Sequence, residues 1–356
     1  MRLFNLDLHA TVIKDIMDLF TEMGHTVDHW SISSHSWVHG RAVEDVDVVN
    51  QYTWRHLNES MCERFYHRYR DELSEYDGFV VTHTPSFALL YAAFNKPVIV
   101  VASTRYEAPF SVSRRRWEWL NSGLHALSAR QLIGRVANNR YDQRYCELHT
   151  GLSWAHVPSY CGHVNVRWSP GYPSFLLDSK MPPVRLRNYS LVHKKSLGTF
   201  KWTDLMKYAG IVVIPYNASM MSVFEYYTAC IPLFFPTGKF CIELYRHFPD
   251  FGVLSELSWL QVWNVGERAV LSTGEHDANR YMEPGIVEDW IRYSDWYDDE
   301  WMPHITYFDS FADLEEKLGS VDLKAISEKM HVHNIIRKQK IEALWKQQLK
   351  TLMSAG

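Results

Sequence analysis

Residues 76–103, YDGFVVTHTPSFALLYAAFNKPVIVVAS, decide the fold. Gly78–Thr82 is a short apolar run rich in β-branched residues, Ser86–Phe94 reads as a helix, and Pro97–Ala102 is a second apolar run. Two such strands joined by a helix run parallel, because parallel neighbours need a long crossover between them. Toward the N-terminus the alternation continues. Arg2–Leu8 reads as a strand, Val12, Ile16, Leu19, Phe20 and Met23 have helical spacing, and Gly24 stands where a helix C-cap is expected. His25–Ile32 is a second strand, followed by the polar loop Ser31–Gly40 and a helix near Leu57–Leu73. Arg114–Leu152 reads as helical, with Ser128 as an N-cap. These residues predict a doubly wound α/β domain over 1–175.

Ser153–Pro183 changes character, with five prolines (Pro158, Pro170, Pro173, Pro182, Pro183) alongside Gly162 and Gly171, as in a crossing between domains. Alternation then resumes. Ser190–His193, Ile211–Pro215, Ile231–Phe235 and Ile305–Phe308 read as strands; Trp202–Tyr208, Met221–Ala229 and Lys239–His247 read as helices. Ser310 is the expected N-cap of Phe311–Leu318, and Leu323–Leu352 is a long amphipathic helix. Leu257–Trp301 is rich in Trp, Tyr and acids and has no clear period. The expected organisation is thus α/β, with a second Rossmann-like domain over 176–330 and a terminal helix over 331–356 that crosses back to the first.

Composition narrows the class. With 356 residues, 46% hydrophobic, 14% aromatic and a formal charge of only -4, the chain has enough apolar material for two cores and too little charge for non-specific nucleic-acid binding. Arg114-Arg115-Arg116, followed by Trp117 and Trp119, is the local exception: a solvated helix start, or a contact for an anionic substrate or membrane headgroups. Five cysteines, an odd number with no C-x-x-C pair, argue against a zinc site or a disulfide framework and fit a cytoplasmic location. The N-terminal apolar run is interrupted at Asp7 and His9, so it does not read as a signal peptide, and no stretch approaches the roughly 18 apolar residues of a membrane span. Any membrane contact is expected to be peripheral.

In open parallel sheets, ligands bind beyond the carboxyl ends of the strands. The residues there are polar and rich in histidine: Asp7 and His9, His35, His83, then Thr104, Arg105 and Glu107. In the second half, Ile211–Pro215 leads through Asn217, Ala218, Ser219, Met220, Met221 and Ser222 into a helix carrying Glu225. Unbonded amides and the helix dipole make such a start an anion site, and Glu225 lies where it can accept hydrogen bonds from a ribose.

The stretch Ile211–Pro236, in which Pro232 follows Glu225 by seven residues with Ala229-Cys230 between them, resembles the donor-binding segment of GT-B glycosyltransferases, family 4 and its relatives in particular. Tyr76–His83 and Lys96–Val101 look like the paired strands of that fold's acceptor domain. The resemblance implies two Rossmann-like domains facing each other across a cleft, a nucleoside-diphosphate sugar as co-substrate with no further cofactor and no metal, and a hexosyl or pentosyl group transferred to a glycan or other hydroxyl acceptor. Three positions depart from the family. Asn217 stands where the retaining pattern has a second Glu, Asp7–Thr11 replaces a glycine-rich loop, and Thr104-Arg105 replaces a histidine. The stereochemical course is left open.

Under this reading the Ser219–Ser222 amides, with Lys194 and Lys195, hold the departing diphosphate and Glu225 the ribose. Asp7, His9 and then His83 are candidates for the base that deprotonates the acceptor; His35, Arg105 and Glu107 are the acceptor contacts. Asp45-Val46-Asp47 and His331-Val332-His333 are weaker candidates for a metal. The alternatives are a nucleotide-sugar epimerase of the same architecture, or a non-catalytic carbohydrate- or nucleotide-binding protein with an aromatic platform in Leu257–Trp301.

Overall fold

A computed structural model describes residues 1–40, 42–110, 113–181, 184–248, 252–254 and 291–353, without the side chains at 38, 39, 114 and 353. The chain forms two compact units. One is built from Met1–Ser159 with the end of the chain from Gln339, the other from the described residues between Tyr160 and Lys338.

Among the described residues the first unit holds a six-stranded parallel sheet of order β2-β1-β3-β4-β5-β6. Its strands are β1 (Arg2–Asp7), β2 (Thr26–Ser31), β3 (Gly78–Thr82), β4 (Val98–Ala102), β5 (Ile133–Ala137) and β6 (Ala155–His156). Every residue of β3 and β4 is buried, as expected for strands covered on both faces. Helix α1 (Ala10–Glu22) buries Val12, Ile13, Ile16, Leu19 and Phe20 and ends before Gly24, whose φ of +83° continues no helix. Helices α2 (Glu59–Leu73) and α3 (Arg114–Ala129) are the crossovers into β3 and β5.

Contrary to the sequence pattern, Arg114–Leu152 is not helical throughout: α3 is followed by β5 and then by helix α4 (Arg140–Thr150). Strand β5 pairs with β4 from Val98↔Ile133 to Ala102↔Ala137, although Gly134 and Arg135 break its apolar pattern. Ser128 is accordingly no N-cap. It lies in the last turn of α3, and its hydroxyl accepts from Arg135 of the strand. The cap of α4 is Asn139, whose Oδ1 accepts from the Asp142 amide at 2.7 Å. Ser86–Phe94, expected as a helix, lies in a 3₁₀ segment over Pro85–Phe94. Eight of its residues are buried, which removes the periodic polar face that distinguishes helix types in sequence.

The second unit holds a five-stranded parallel sheet of order β11-β10-β9-β7-β8 among the described residues. Its strands are β7 (Phe175–Asp178), β8 (Leu191–His193), β9 (Ile211–Val213), β10 (Leu233–Pro236) and β11 (Thr306–Phe308). Helices α5 (Trp202–Leu205), α6 (Met221–Thr228) and α7 (Gly238–His247) connect them, and Ser310 caps helix Phe311–Ser320 through the Asp313 amide at 3.1 Å. The division between units falls at Ser159–Tyr160, ahead of the expected 175/176. The proline-rich segment is already tied to the second unit: the Trp168 amide donates to Ala229 O at 2.9 Å and the Ser169 amide to Met206 O at 3.1 Å.

The terminal helix Leu323–Met353 contributes to both units. In the second, Asn334 Nδ2 donates to Tyr227 O at 2.8 Å. In the first, Ile341, Trp345, Leu349 and Leu352 are buried, and Trp345 meets Phe20 edge-on at 5.1 Å. Among the described residues no helix is long and apolar enough to cross a membrane.

Candidate functional site

The order of the first sheet reverses between β1 and β3, since β1 is followed on one side by β2 and on the other by β3. A doubly wound sheet opens a crevice at such a point. Asp7 ends β1, and His83 directly follows β3. The Asp7 carboxylate is 1% exposed. Its Oδ1 accepts from the amides of Leu8 and His9, and its Oδ2 from the Thr82 amide at 2.9 Å. Burial pushes its pKa up to about 7, against those three amide bonds.

His9 is the N-cap residue of α1 without capping it through its side chain, which leaves the imidazole turned to other work. Its ring centroid lies 4.7 Å from that of His83. Burial lowers the His9 pKa to about 4, with His35 adding a smaller push, and burial likewise holds His83 well below the ordinary value. Both imidazoles are therefore neutral near pH 7 and able to accept a proton. His83 holds a left-handed backbone with φ of +68°, and its Nδ1 lies 3.1 Å from Ser103 Oγ. A non-glycine residue in that region costs energy and is held by its surroundings.

The structure thus brings together Asp7, His9 and His83, with an exposed His35 beside them. Arg105 and Glu107 do not join the rim as acceptor contacts. They are 1% and 0% exposed and form an ion pair at 2.7 Å, with Tyr145 bridging: its hydroxyl receives from Arg105 at 2.6 Å and donates to Glu107 at 2.8 Å. Both charges are shielded from solvent and answered by each other and by Tyr145. Asp45 and Asp47 are exposed, and Asp47 pairs with Arg68 at 2.9 Å. Among the described residues no three His, Cys, Asp or Glu side chains are gathered to hold a metal ion.

The second sheet reverses its order between β7 and β9. Asp178 ends β7, and its Oδ2 accepts from Lys194 Nζ at 2.9 Å and from the Tyr226 hydroxyl at 2.6 Å. Lys194 also contacts the Tyr226 hydroxyl directly, so three side chains from β7, the end of β8 and α6 form one cluster. Lys195 is exposed and outside it.

Ser219 and Met220 precede α6, Met221 and Ser222 open it, and no side chain caps its start. Glu225 lies in the second turn, buried, with Oε1 at 3.0 Å from His163 Nε2. Asn217 Oδ1 accepts from the following Ala218 amide at 2.7 Å, which closes the loop on itself.

Three residues of this second rim carry little signal in the sequence. Asp178 sits after a strand of only three apolar residues inside the proline-rich segment. Tyr226 follows Glu225 and reads there as ordinary helix. His163 lies in the segment whose composition suggests a crossing between domains. A carboxylate directly after Phe175-Leu176-Leu177 is the one signal that points to the site. Most of Leu257–Trp301, the expected aromatic platform, lies outside the described residues, while Trp296 and Trp301 are buried.

The fold and the two rims define an α/β protein with a pair of parallel, doubly wound sheets, each carrying polar side chains at its switch point. No protein-family model and no curated protein matches the chain. Solved structures do. The chain is similar to the glycotransferase of kitacinnamycin (10% identity, 98% of each chain covered, TM-score 0.46). It is similar to glycosyltransferase SnogD from Streptomyces nogalater (10% identity, 98% of this chain and 99% of that one, TM-score 0.45). A third is glycosyltransferase VinC in complex with DTDP (11% identity, 99% and 100% covered, TM-score 0.39).

Proposed function

We propose that the protein is a glycosyltransferase that moves a sugar from a nucleoside-diphosphate sugar to a hydroxyl acceptor, without a metal. The observation that carries this reading is the segment Ile211–Pro236. Strand β9 ends in a tight polar loop, α6 starts without a side-chain cap, Glu225 is buried in its second turn, and Pro232 stands just before β10. This is the layout that the sequence resemblance to donor-binding segments calls for. In this reading the start of α6 takes the diphosphate, Lys194 supplies positive charge, and Glu225 receives the ribose hydroxyls.

In the first unit, His9 is the base and Asp7 and His83 fix its surroundings. The acceptor oxygen bonds to the anomeric carbon, the bond from that carbon to the diphosphate breaks, and the diphosphate leaves with the electron pair. The acceptor proton goes to His9. His9 is unprotonated near pH 7 and so open to the proton, burial weakening it as a base, and preorganised donors around the leaving anion supply the largest stabilisation. The cysteines Cys62, Cys146, Cys161, Cys230 and Cys241 form no disulfide, which fits a cytoplasmic location.

A thermal-shift panel of nucleoside diphosphates and their sugar conjugates tests the reading, since a ligand of the folded state raises the melting temperature. Stabilisation by one nucleotide series without divalent metal, lost in Glu225→Ala, is expected. Absence of a shift with every donor overturns the transferase reading, and a shift only with metal overturns its metal independence.

A further inference from the structure

The triple-arginine motif has no part in the site described above, yet it lies on the same rim of the first sheet. Crossover helices in a parallel sheet run opposite to the strands, so α2 and α3 both begin at the carboxyl end, where Asp7, His9 and His83 lie. Arg116 brings the two helix starts together: its Nη2 donates to Arg55 O at 2.8 Å and to Leu57 O at 2.9 Å, just ahead of α2. Between them is a cavity of about 620 Å³ lined by His56, Ser60, Ser113, Arg115, Arg116 and Trp119.

The chemistry of this lining is that of an oxyanion site. Arg115 is exposed and, among the described residues, has no carboxylate partner, whereas Arg116 is half-buried and fixed by its two carbonyls. Ser60 and Ser113 add hydroxyl donors, and Ser113 is the N-cap residue of α3 without a side-chain cap bond. Glu59 also lines the cavity, so the two arginines exceed the carboxylates by a single charge. A phosphate monoester, with three acceptor oxygens and up to two negative charges, engages guanidinium and hydroxyl donors together. The volume exceeds that of one phosphate and leaves room, beside Trp119, for the group that carries it.

We infer that this cavity binds a phosphate monoester, the phosphate being a recognition handle on the acceptor. The binding itself is independent of the transferase reading; only its assignment to the acceptor rests on that reading. Calorimetric titration of the full chain with inorganic phosphate and with glycerol 3-phosphate at low ionic strength tests it. Saturable binding is expected, weakened at least tenfold in Arg115→Glu and retained in Lys194→Met, which removes the charge assigned to the diphosphate. Arg115 is exposed, so the substitution leaves the core untouched; Ser60→Ala, expected to weaken binding severalfold, is an independent check. Vesicles containing phosphatidic acid separate the sources. Binding to glycerol 3-phosphate assigns a soluble phosphate ester, and Arg115-dependent binding to vesicles alone assigns a lipid headgroup. Absence of binding to every probe, or binding lost in Lys194→Met and unchanged in Arg115→Glu, overturns the inference; the latter result places the phosphate at the nucleotide site and leaves the transferase reading standing.

Discussion

The switch point of the first sheet, between β1 and β3, and that of the second, between β7 and β9, share a topology and differ in charge state. At the first, burial works against ionisation: Asp7 is pushed up to about 7 and His9 down to about 4. At the second, charges are matched: Lys194 lies 2.9 Å from Asp178, with Tyr226 between them. A neutral imidazole has a lone pair open to a proton, while a fixed ammonium is suited to holding an anion. Under the proposed function, one sheet design serves as a proton-handling rim or an anion-holding rim according to whether its polar groups are left alone or paired.

The largest effect is expected at the first rim. His9→Ala removes the proposed base and is expected to lower kcat by about 10²–10⁴-fold, with donor affinity unchanged. Single-turnover kinetics beside a binding titration checks this. Unchanged turnover in the variant takes the base role from His9 and breaks the contrast between the rims.

The next effect is on stability. Asp7 has an ordinary pKa of 3.8 and about 7 in the fold, so the folded chain binds its proton more tightly than the unfolded chain. Its contribution is complete below pH 3.8 and is lost as pH rises through 7, by up to about 4 kcal/mol. His9 runs the other way: with about 4 in the fold against 6.5, it lowers stability as pH falls from 6.5 toward 4. Urea unfolding across this range is expected to show a less negative slope of stability against pH in Asp7→Asn than in the wild type. Equal slopes would mean that Asp7 is ionised like an ordinary carboxylate.

The two rims are not equally legible in sequence. Asp7, His9 and His83 follow apolar runs long enough to read as strands, so the amino-acid pattern by itself places them on a shared rim. Strand β7 is four residues long, with prolines at 173 and 182 around it, and its terminal Asp178 has no visible strand to end. Strand β5 is hidden for a related reason: Gly134 and Arg135 interrupt its apolar pattern, and pairing with β4 fixes what local propensity does not. The burial of Arg105 and Glu107 is not readable either, because only the fold brings Tyr145, forty residues away from Arg105 in sequence, between them.

The smallest effect tests the second rim alone. The Tyr226 hydroxyl donates to Asp178 at 2.6 Å and meets Lys194, so it limits where the ammonium can sit without carrying charge itself. Tyr226→Phe keeps the ring among its buried neighbours and leaves the Lys194–Asp178 pair at 2.9 Å in place. The lost hydrogen bond is worth about 0.5–1.5 kcal/mol. Nucleoside-diphosphate affinity should therefore fall by roughly two- to tenfold, measured by calorimetry, while Lys194→Met costs more because it removes the charge itself. If Tyr226→Phe reduced affinity as much as the lysine substitution, the ordering imposed by the hydroxyl would matter as much as the charge, and the second rim would be a positioned donor array in which the ion pair is secondary.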